Sequence, residues 1–215
     1  MPASLQTSRS ISSSFPKTDA AALSIGCVIM ASGMGRRFGG NKLMADVGGK
    51  PMIARVLEST DGLFDRRIVV TRHEDVAASC RAQGAEVLLH DLPFRSDTVR
   101  LGLEAVGNTD GCMFCPADQP LLCRETVRAL IRSFIREPDA IWRPAYNGEP
   151  GSPVLFPQWA FGGLLTLPEG KGGGHIARQH PDRVRLLPIQ NPHELMDADT
   201  PEDLAHLLSL YRKMT

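Results

Sequence analysis

Short apolar runs alternate with amphipathic segments along the first 135 residues of the chain. Ile25–Met30 is rich in β-branched residues and ends directly at a glycine-rich stretch, which is typical of a buried strand. Similar runs predict strands over residues 67–71, 86–89 and 111–115. Because helical patterns lie between these strands, the sequence predicts an α/β fold with a doubly wound, mostly parallel sheet.

The segments between and after these strands carry helix and turn signals. Helices are predicted from Pro51, over residues 75–83, from Ser96, and over residues 125–135, 159–165 and 201–212. Further strands are predicted over residues 140–144, 153–156 and 184–187. The turn Asn147-Gly148 separates two of these strands, so the sequence also predicts a small antiparallel flap on the sheet.

The first 24 residues are rich in serine and poor in apolar residues, which predicts a disordered extension. A single domain is predicted to follow over residues 25–215. No separate signal-peptide pattern and no apolar run of spanning length is found, so we expect a cytoplasmic protein that does not enter the membrane. The 24 Lys and Arg balance the 24 Asp and Glu, which gives no argument for a nucleic-acid or membrane partner.

Five cysteines are present, and Cys112 and Cys115 have the C-x-x-C spacing of many metal and redox sites. In strand geometry, however, these two side chains point to opposite faces, and no second Cys pair or His cluster completes a set of four ligands. We therefore expect them to be buried strand cysteines.

The glycine-rich stretch Ala31-Ser-Gly-Met-Gly-Arg-Arg-Phe-Gly-Gly-Asn-Lys42 is the strongest functional signal. Its glycines let backbone N–H groups approach an anion closely, and Arg36, Arg37 and Lys42 supply positive charge for a triphosphate. The stretch matches neither a P-loop nor a dinucleotide-binding fingerprint, because the lysine is not followed by Ser or Thr and Phe38 interrupts the glycine spacing. A solvated surface loop is the alternative.

This stretch, with Lys50-Pro51, resembles the signature of sugar-nucleotidyltransferase-like proteins, in particular the MobA-like branch that makes molybdenum-cofactor dinucleotides. Three further segments resemble motifs of that branch in the same order: Cys115-Pro-Ala-Asp-Gln-Pro120, Gly151-Ser-Pro-Val-Leu-Phe156 and Asp197-Ala-Asp-Thr-Pro-Glu-Asp-Leu204. The resemblance covers about residues 25–212.

The resemblance implies a nucleotidyltransferase with Mg²⁺, or Mn²⁺ in its place, held by Asp118 at the end of the central strand. Asp199 is the expected second metal ligand, with Asp197 as the alternative, and their alternate spacing places both on one face of a strand. Arg37, Lys42 and Asp118 are the expected catalytic residues. The expected nucleotide-binding residues are Ala31, Ser32, Gly33, Gly35, Arg36, Arg37, Lys42, Ser96 and Asp118.

The resemblance favours CTP as the nucleotide and molybdopterin as the acceptor, with a molybdoenzyme as a recipient of the product. The alternatives are a guanylyltransferase, a transferase for another phosphorylated substrate, and a non-catalytic protein that binds the molybdenum cofactor. One segment departs from the family pattern, because Lys171 stands where an acidic residue is common in Gly170-Lys-Gly-Gly-Gly-His-Ile-Ala-Arg178. That segment is interpreted either as an anion-binding loop for the acceptor or as an ordinary exposed loop.

Overall fold

The computed structural model describes residues 23–33, 35, 38 and 40–214. The strands are β1 (Ile25–Ala31), β2 (Arg66–Thr71), β3 (Glu86–Leu89), β4 (Gly111–Pro116), β5 (Ile141–Tyr146), β6 (Glu149–Pro150), β7 (Val154–Pro157) and β8 (Val184–Pro188). The helices are α1 (Met52–Thr60), α2 (Glu74–Ala82), α3 (Arg95–Val106), α4 (Arg124–Arg136), α5 (Phe161–Leu165), α6 (Gly174–Gln179) and α7 (Pro201–Met214).

All eight strands belong to one sheet with the order β3-β2-β1-β4-β7-β5-β6, and β8 pairs with β5. The strands β1 to β4 are parallel to one another, as β8 is to β5, whereas β7 is antiparallel to both β4 and β5. The predicted α/β fold with a mostly parallel sheet is therefore confirmed. The chain moves outward from β1 to β3 and then returns to β4 on the other side of β1, which creates a switch point between β1 and β4.

The predicted turn at Asn147 and Gly148 is present, but the strand directly after it is β6, which was not predicted and which pairs antiparallel with β5. Both turn residues have positive φ, 50° and 84°, as a two-residue hairpin turn requires. The strand β7, which corresponds to the predicted strand 153–156, does not form a separate flap. It lies between β4 and β5, so the hairpin extends the main sheet.

The core lies on both faces of the sheet. On one face α1, α2, α4 and α7 pack against side chains such as Cys27, Met113 and Cys115. On the other face α3, α5 and α6 pack against Val28, Cys112 and neighbouring residues. The prediction for the C-x-x-C pair is confirmed, since Cys112 and Cys115 are buried on opposite faces of β4 as free thiols.

Helix α6 was missed by the sequence analysis, which assigned its beginning to a glycine cluster. Glycine disfavours helix by about 1 kcal/mol per residue, but burial of Ile176 and Ala177 against the sheet offsets that cost. A Cβ at Gly173 would come within 2.8 Å of the Phe156 ring, so this glycine allows the helix to approach the sheet closely. Tertiary packing thus overrides local propensity here.

Most of the predicted extension, residues 1–22, lies outside the described residues. Leu23 packs against the core, and the backbone N–H of Ser24 donates to the Asp110 carboxylate at 2.8 Å. Within the described part of the chain, no helix is long and apolar enough to span a bilayer.

Candidate active site

A cavity of about 550 Å³ opens at the carboxyl ends of β1 and β4, at the switch point of the sheet. It is lined by six of the residues that the sequence analysis selected for nucleotide or metal binding: Ser32, Gly33, Gly35, Lys42, Asp118 and Asp199. Asp197, the alternative metal ligand, also lines it. Loops that are far apart in the sequence therefore meet at one edge of the sheet, where open α/β sheets bind their ligands.

Lys42 lies at the centre of the acidic part of this cavity. Its Nζ donates to Asp118 Oδ2 at 2.6 Å and to Asp199 Oδ1 at 2.8 Å. The lysine side chain is only 8% exposed, whereas Asp118 and Asp199 are 23% and 45% exposed. A single buried ammonium thus forms ion pairs with both of the carboxylates that were predicted to hold a metal ion.

The charges in this cluster affect one another. Burial on its own would lower the pKa of Lys42, but the charges and hydrogen bonds of Asp118 and Asp199 outweigh it, and the pKa is raised. The pKa of Asp197 is raised by burial first and then by the charge of Asp118. Lys42 is therefore a cation, and the carboxylates around it carry more negative charge than it neutralises.

Backbone hydrogen bonds fix Asp118 and the loop that carries Asp199 relative to each other. Ala117 N–H donates to Met30 O at 3.2 Å, which ties the end of β4 to β1. Ala198 N–H donates to Asp118 O at 3.1 Å, which ties the later loop to the same point. The two acidic segments are thus held together by main-chain contacts that do not depend on the ion pair.

The prediction that Asp197 and Asp199 lie on a strand is wrong, because residues 196–199 form a loop between a 3₁₀ helix and α7. Ala198 between them is fully buried, and both aspartates still line the cavity. The start of α7 is capped by Thr200, whose Oγ1 accepts from Asp203 N–H, and the Asp203 carboxylate accepts from Thr200 N–H. The helix cap is therefore supplied by Thr200 and Asp203, and the Asp199 carboxylate accepts from Lys42.

The glycine-rich stretch forms the adjacent wall of the cavity. Gly35 has φ of +54° and its carbonyl accepts from Phe38 N–H, so the chain turns back sharply at this point. Asn41 caps the 3₁₀ helix Lys42–Met44 and also donates to the carboxylate of Asp75 at the start of α2. This anchor fixes the position from which Lys42 enters the cavity.

The remaining predicted residues have different positions. Arg36 and Arg37 lie outside the described residues. Ala31 is buried in β1, and its carbonyl accepts from Thr71 Oγ1 at 3.0 Å. Ser96 is buried and borders a second, shallower pocket next to Phe94, while Arg95 and Thr98 from the same helix turn line the main cavity. On helix α3 the cavity is thus lined by the residue before the predicted one and by the residue two positions after it.

Arg72, Arg95 and Ser152 line the cavity and were not selected from the sequence. Arg72 directly follows β2, so the rule that ligands bind beyond the carboxyl ends of strands was a usable signal for it. Arg95 is the first residue of α3 and the neighbour of the predicted Ser96, so the sequence indicated this helix end but not the side chain that faces the cavity. The two arginines place positive charge in the same cavity as the acidic cluster.

A family model described as the MobA-like NTP transferase domain matches residues 27–184, most of the chain. The chain belongs to the MobA-like NTP transferase family. It is a nucleotidyltransferase.

Solved structures with the same fold support this assignment of architecture. Rv0371c from Mycobacterium tuberculosis is 24% identical with a TM-score of 0.76, over 86% of this chain and 98% of that one. A structure of the same mycobacterial protein in complex with manganese matches with a TM-score of 0.69, again at 24% identity and over 86% and 98% of the two chains. Molybdopterin-guanine dinucleotide biosynthesis protein A from Archaeoglobus fulgidus is 20% identical with a TM-score of 0.68, over 88% of this chain and 100% of that one.

The acidic cluster of this NTP transferase has donors suited to a divalent cation. Among the described residues, no group of three or more His, Cys, Asp or Glu side chains is arranged to hold a metal ion. Two carboxylate oxygens, from Asp118 and Asp199, nevertheless converge on one cation, the Lys42 ammonium. Mg²⁺ is usually bound by one or two carboxylates together with substrate phosphates and water, so this donor set fits a metal bound with a nucleotide.

Proposed function

We propose that this NTP transferase transfers CMP from CTP to the terminal phosphate of molybdopterin and releases pyrophosphate. The observation that carries the proposal is the convergence of Ser32, Asp118, Ser152 and Asp199 on one cavity. Each belongs to a different segment whose sequence resembles the MobA-like branch that makes molybdenum-cofactor dinucleotides. The forms Ala31-Ser32 and Asp118-Gln119-Pro120 resemble the cytidylyltransferases of that branch.

In the proposed complex the triphosphate lies between the glycine-rich stretch and the acidic cluster. Backbone N–H groups at Gly33 and Gly35 have no Cβ in front of them and can approach phosphate oxygens closely. Asp118 and Asp199 hold Mg²⁺, with Mn²⁺ as an alternative, and Asp197 lies beside them. The bound ion supplies charge neutralisation at the phosphates.

The reaction exchanges one phosphoanhydride bond for another. An anionic oxygen of the acceptor phosphate attacks the α-phosphorus of CTP, and the bond from that phosphorus to the oxygen bridging to the β-phosphorus breaks. Pyrophosphate leaves with the electron pair, and no proton has to be removed from the nucleophile. The protein therefore contributes position and positive charge, which we assign to Lys42 and Arg37, rather than a general base.

Arg72 and Arg95 complete the charge distribution of the cavity. Together with Lys42, they surround a space that would receive two phosphorylated substrates, and each phosphate brings negative charge that must be compensated. Arg95 lies in the wall formed by α3, and Gly172 from the segment 170–174 packs against it. This contact supports the interpretation of that segment as part of the acceptor side.

The test is pyrophosphate release from ATP, CTP, GTP and UTP with Mg²⁺, measured with and without molybdopterin, with the Asp118→Asn variant as the control. Release that requires both CTP and molybdopterin, together with a product of the mass of the cytosine dinucleotide, is expected. If GTP supports release in the presence of molybdopterin and CTP does not, the protein would be a guanylyltransferase instead. Release only with another phosphorylated acceptor would change the second substrate. Binding of molybdenum cofactor without release from any triphosphate would indicate an accessory protein.

A further inference from the structure

His90 lies directly behind Ser32 at the carboxyl ends of three neighbouring strands. Ser32 follows β1, His90 follows β3, and the backbone N–H of His90 donates to Thr71 O at the end of β2. His90 Nε2 is 2.9 Å from Ser32 Oγ, and Ser32 Oγ is 3.2 Å from Val70 O. Because Ser32 lines the cavity, His90 supports a polar group of the cavity wall from behind.

The partners of Ser32 determine which group donates to which. A carbonyl oxygen only accepts, so the single hydroxyl proton of Ser32 goes to Val70 O, and His90 Nε2 must then donate to Ser32 Oγ. In the opposite arrangement the imidazole proton would be on Nδ1. Ser32 would then donate to Nε2 and the bond to Val70 O would be lost, whereas the buried Nδ1 has no hydrogen-bond partner among the described residues in either tautomer. The geometry therefore selects the tautomer with its proton on Nε2.

The imidazole of His90 is neutral in this environment. Burial and then the positive charge of Arg72 lower its pKa, and Arg100 acts in the same direction. Asp97 and Asp91 oppose these effects and do not reverse them. A neutral imidazole has one N–H group, and the bond to Ser32 uses it.

We propose that His90 is a positioning residue that keeps the Ser32 hydroxyl an acceptor toward the cavity and thereby selects a nucleobase with an exocyclic amino group. With its proton on Val70 O and one lone pair occupied by His90, Ser32 Oγ has one lone pair left, which only a donor can use. The amino groups of cytosine and guanine are donors, whereas the 4-oxo group of uracil would place an acceptor against an acceptor. The inference rests on the proposed function, which supplies the bound nucleotide, and it adds that the base of that nucleotide lies beside Ser32.

The test compares nucleotides that differ by the presence of an amino group. CTP and UTP differ at position 4, and GTP and ITP differ only by the 2-amino group. Their dissociation constants are measured by calorimetry on the full-length chain with Mg²⁺ and without an acceptor. For whichever pair binds, we expect the amino-bearing nucleotide to bind at least about tenfold more tightly.

Variants of His90 separate this role from a merely structural one. In His90→Phe the ratio of the two dissociation constants is expected to fall to within about threefold, because the freed hydroxyl can rotate and donate. In His90→Gln the ratio should be preserved, since the amide N–H donates from a similar position. His206→Phe, at an exposed position on α7, is the matched control and should leave both affinities and their ratio unchanged.

The possible results separate a failure of the His90 inference from a failure of the proposed function. An unchanged ratio in folded His90→Phe, or no preference in the wild-type protein, would overturn the inference and leave the nucleotidyl-transfer proposal intact. If His90→Phe does not fold, Ser32→Ala tests the acceptor itself, because alanine removes it and the ratio should fall; an unchanged ratio would then overturn the inference. If neither pair binds, the proposed function fails and the inference fails with it.

Discussion

Lys42 Nζ donates to Asp118 Oδ2 at 2.6 Å, although 76 residues separate the two in the chain. The same ammonium donates to Asp199, so one buried lysine occupies the position between two carboxylates. An ammonium and a divalent ion are both attracted to this point and compete for the same oxygens. A lysine can therefore stabilise the acidic cluster until a metal ion and its nucleotide arrive.

Lys42→Met is accordingly expected to bind Mn²⁺ more tightly than the wild-type protein in the absence of nucleotide. Hydrogen bonds between charged groups contribute about 1.5–3 kcal/mol, so removing the competing cation should strengthen binding by about tenfold or more. Titration of free Mn²⁺ by electron paramagnetic resonance measures this directly. Lys50→Met, which breaks an exposed ion pair with Glu58, is the control and should not change the affinity. Weaker Mn²⁺ binding in Lys42→Met would contradict competition at this site.

Asp118→Asn should abolish turnover and leave the fold intact. The backbone contacts of this segment, from Ala117 to Met30 and from Ala198 to Asp118, do not involve the side chain that is changed. Loss of one of the two carboxylates proposed to hold the metal ion should remove several kcal/mol of transition-state stabilisation, or more than about a hundredfold in rate. Pyrophosphate release together with circular dichroism checks both parts. Turnover near the wild-type level would remove Asp118 from the proposed metal site.

The sequence predicted the fold and several residues that line the cavity, for identifiable reasons. Strands such as β1 and β4 are continuous apolar runs, and their carboxyl ends placed Ser32 and Asp118 correctly because parallel strands end at one edge. Arg95 was not selected although its neighbour Ser96 was, because the packing of α3 on the sheet decides which side chain of this helix turn faces the cavity. Asp199 lines the cavity, but its predicted local structure was wrong, since a loop tied to Asp118 by its backbone replaces the expected strand.

Deleting residues 1–22 is expected to leave both activity and thermal stability unchanged. These residues lack the apolar pattern that a docked segment needs, whereas Leu23, which remains, packs against the core. Pyrophosphate release and the melting temperature of the truncated protein provide the measurement. A clear drop in melting temperature would show that the extension packs on the domain.

One thiol of the five should react quickly with a disulfide reagent at pH 8. Cys123 is exposed, and the other four cysteines are buried. Burial raises the pKa of Cys80 to about 11, and it raises that of Cys112 as well, so at pH 8 these groups are protonated and unreactive. The reaction is followed with dithionitrobenzoate before and after adding guanidinium, which should release the remaining thiols. Cys123→Ser should lose the fast phase, and a second fast thiol in the native protein would contradict the burial pattern.

The two arginines of the glycine-rich stretch should differ in their effect on catalysis. The MobA-like pattern includes Arg37 and Lys42 but not Arg36, so Arg37→Ala and Lys42→Ala should each reduce kcat/KM, and Arg36→Ala should have the smallest effect. Charge-assisted contacts to phosphate contribute about 1.5–3 kcal/mol, which corresponds to a loss of roughly ten- to a hundredfold.

The relative changes in kcat and KM test whether these cations stabilise the transition state or the bound triphosphate. Positive charge that acts mainly on the departing pyrophosphate stabilises the transition state more than the bound triphosphate, so kcat should fall more than KM rises. Lys42 is held by two carboxylates in the protein alone, and its contribution to substrate binding in the ground state should therefore be small. CTP-dependent pyrophosphate release for the three alanine variants measures both constants. Equal and small effects at all three positions would mean that these side chains belong to a solvated loop and that the triphosphate is held elsewhere.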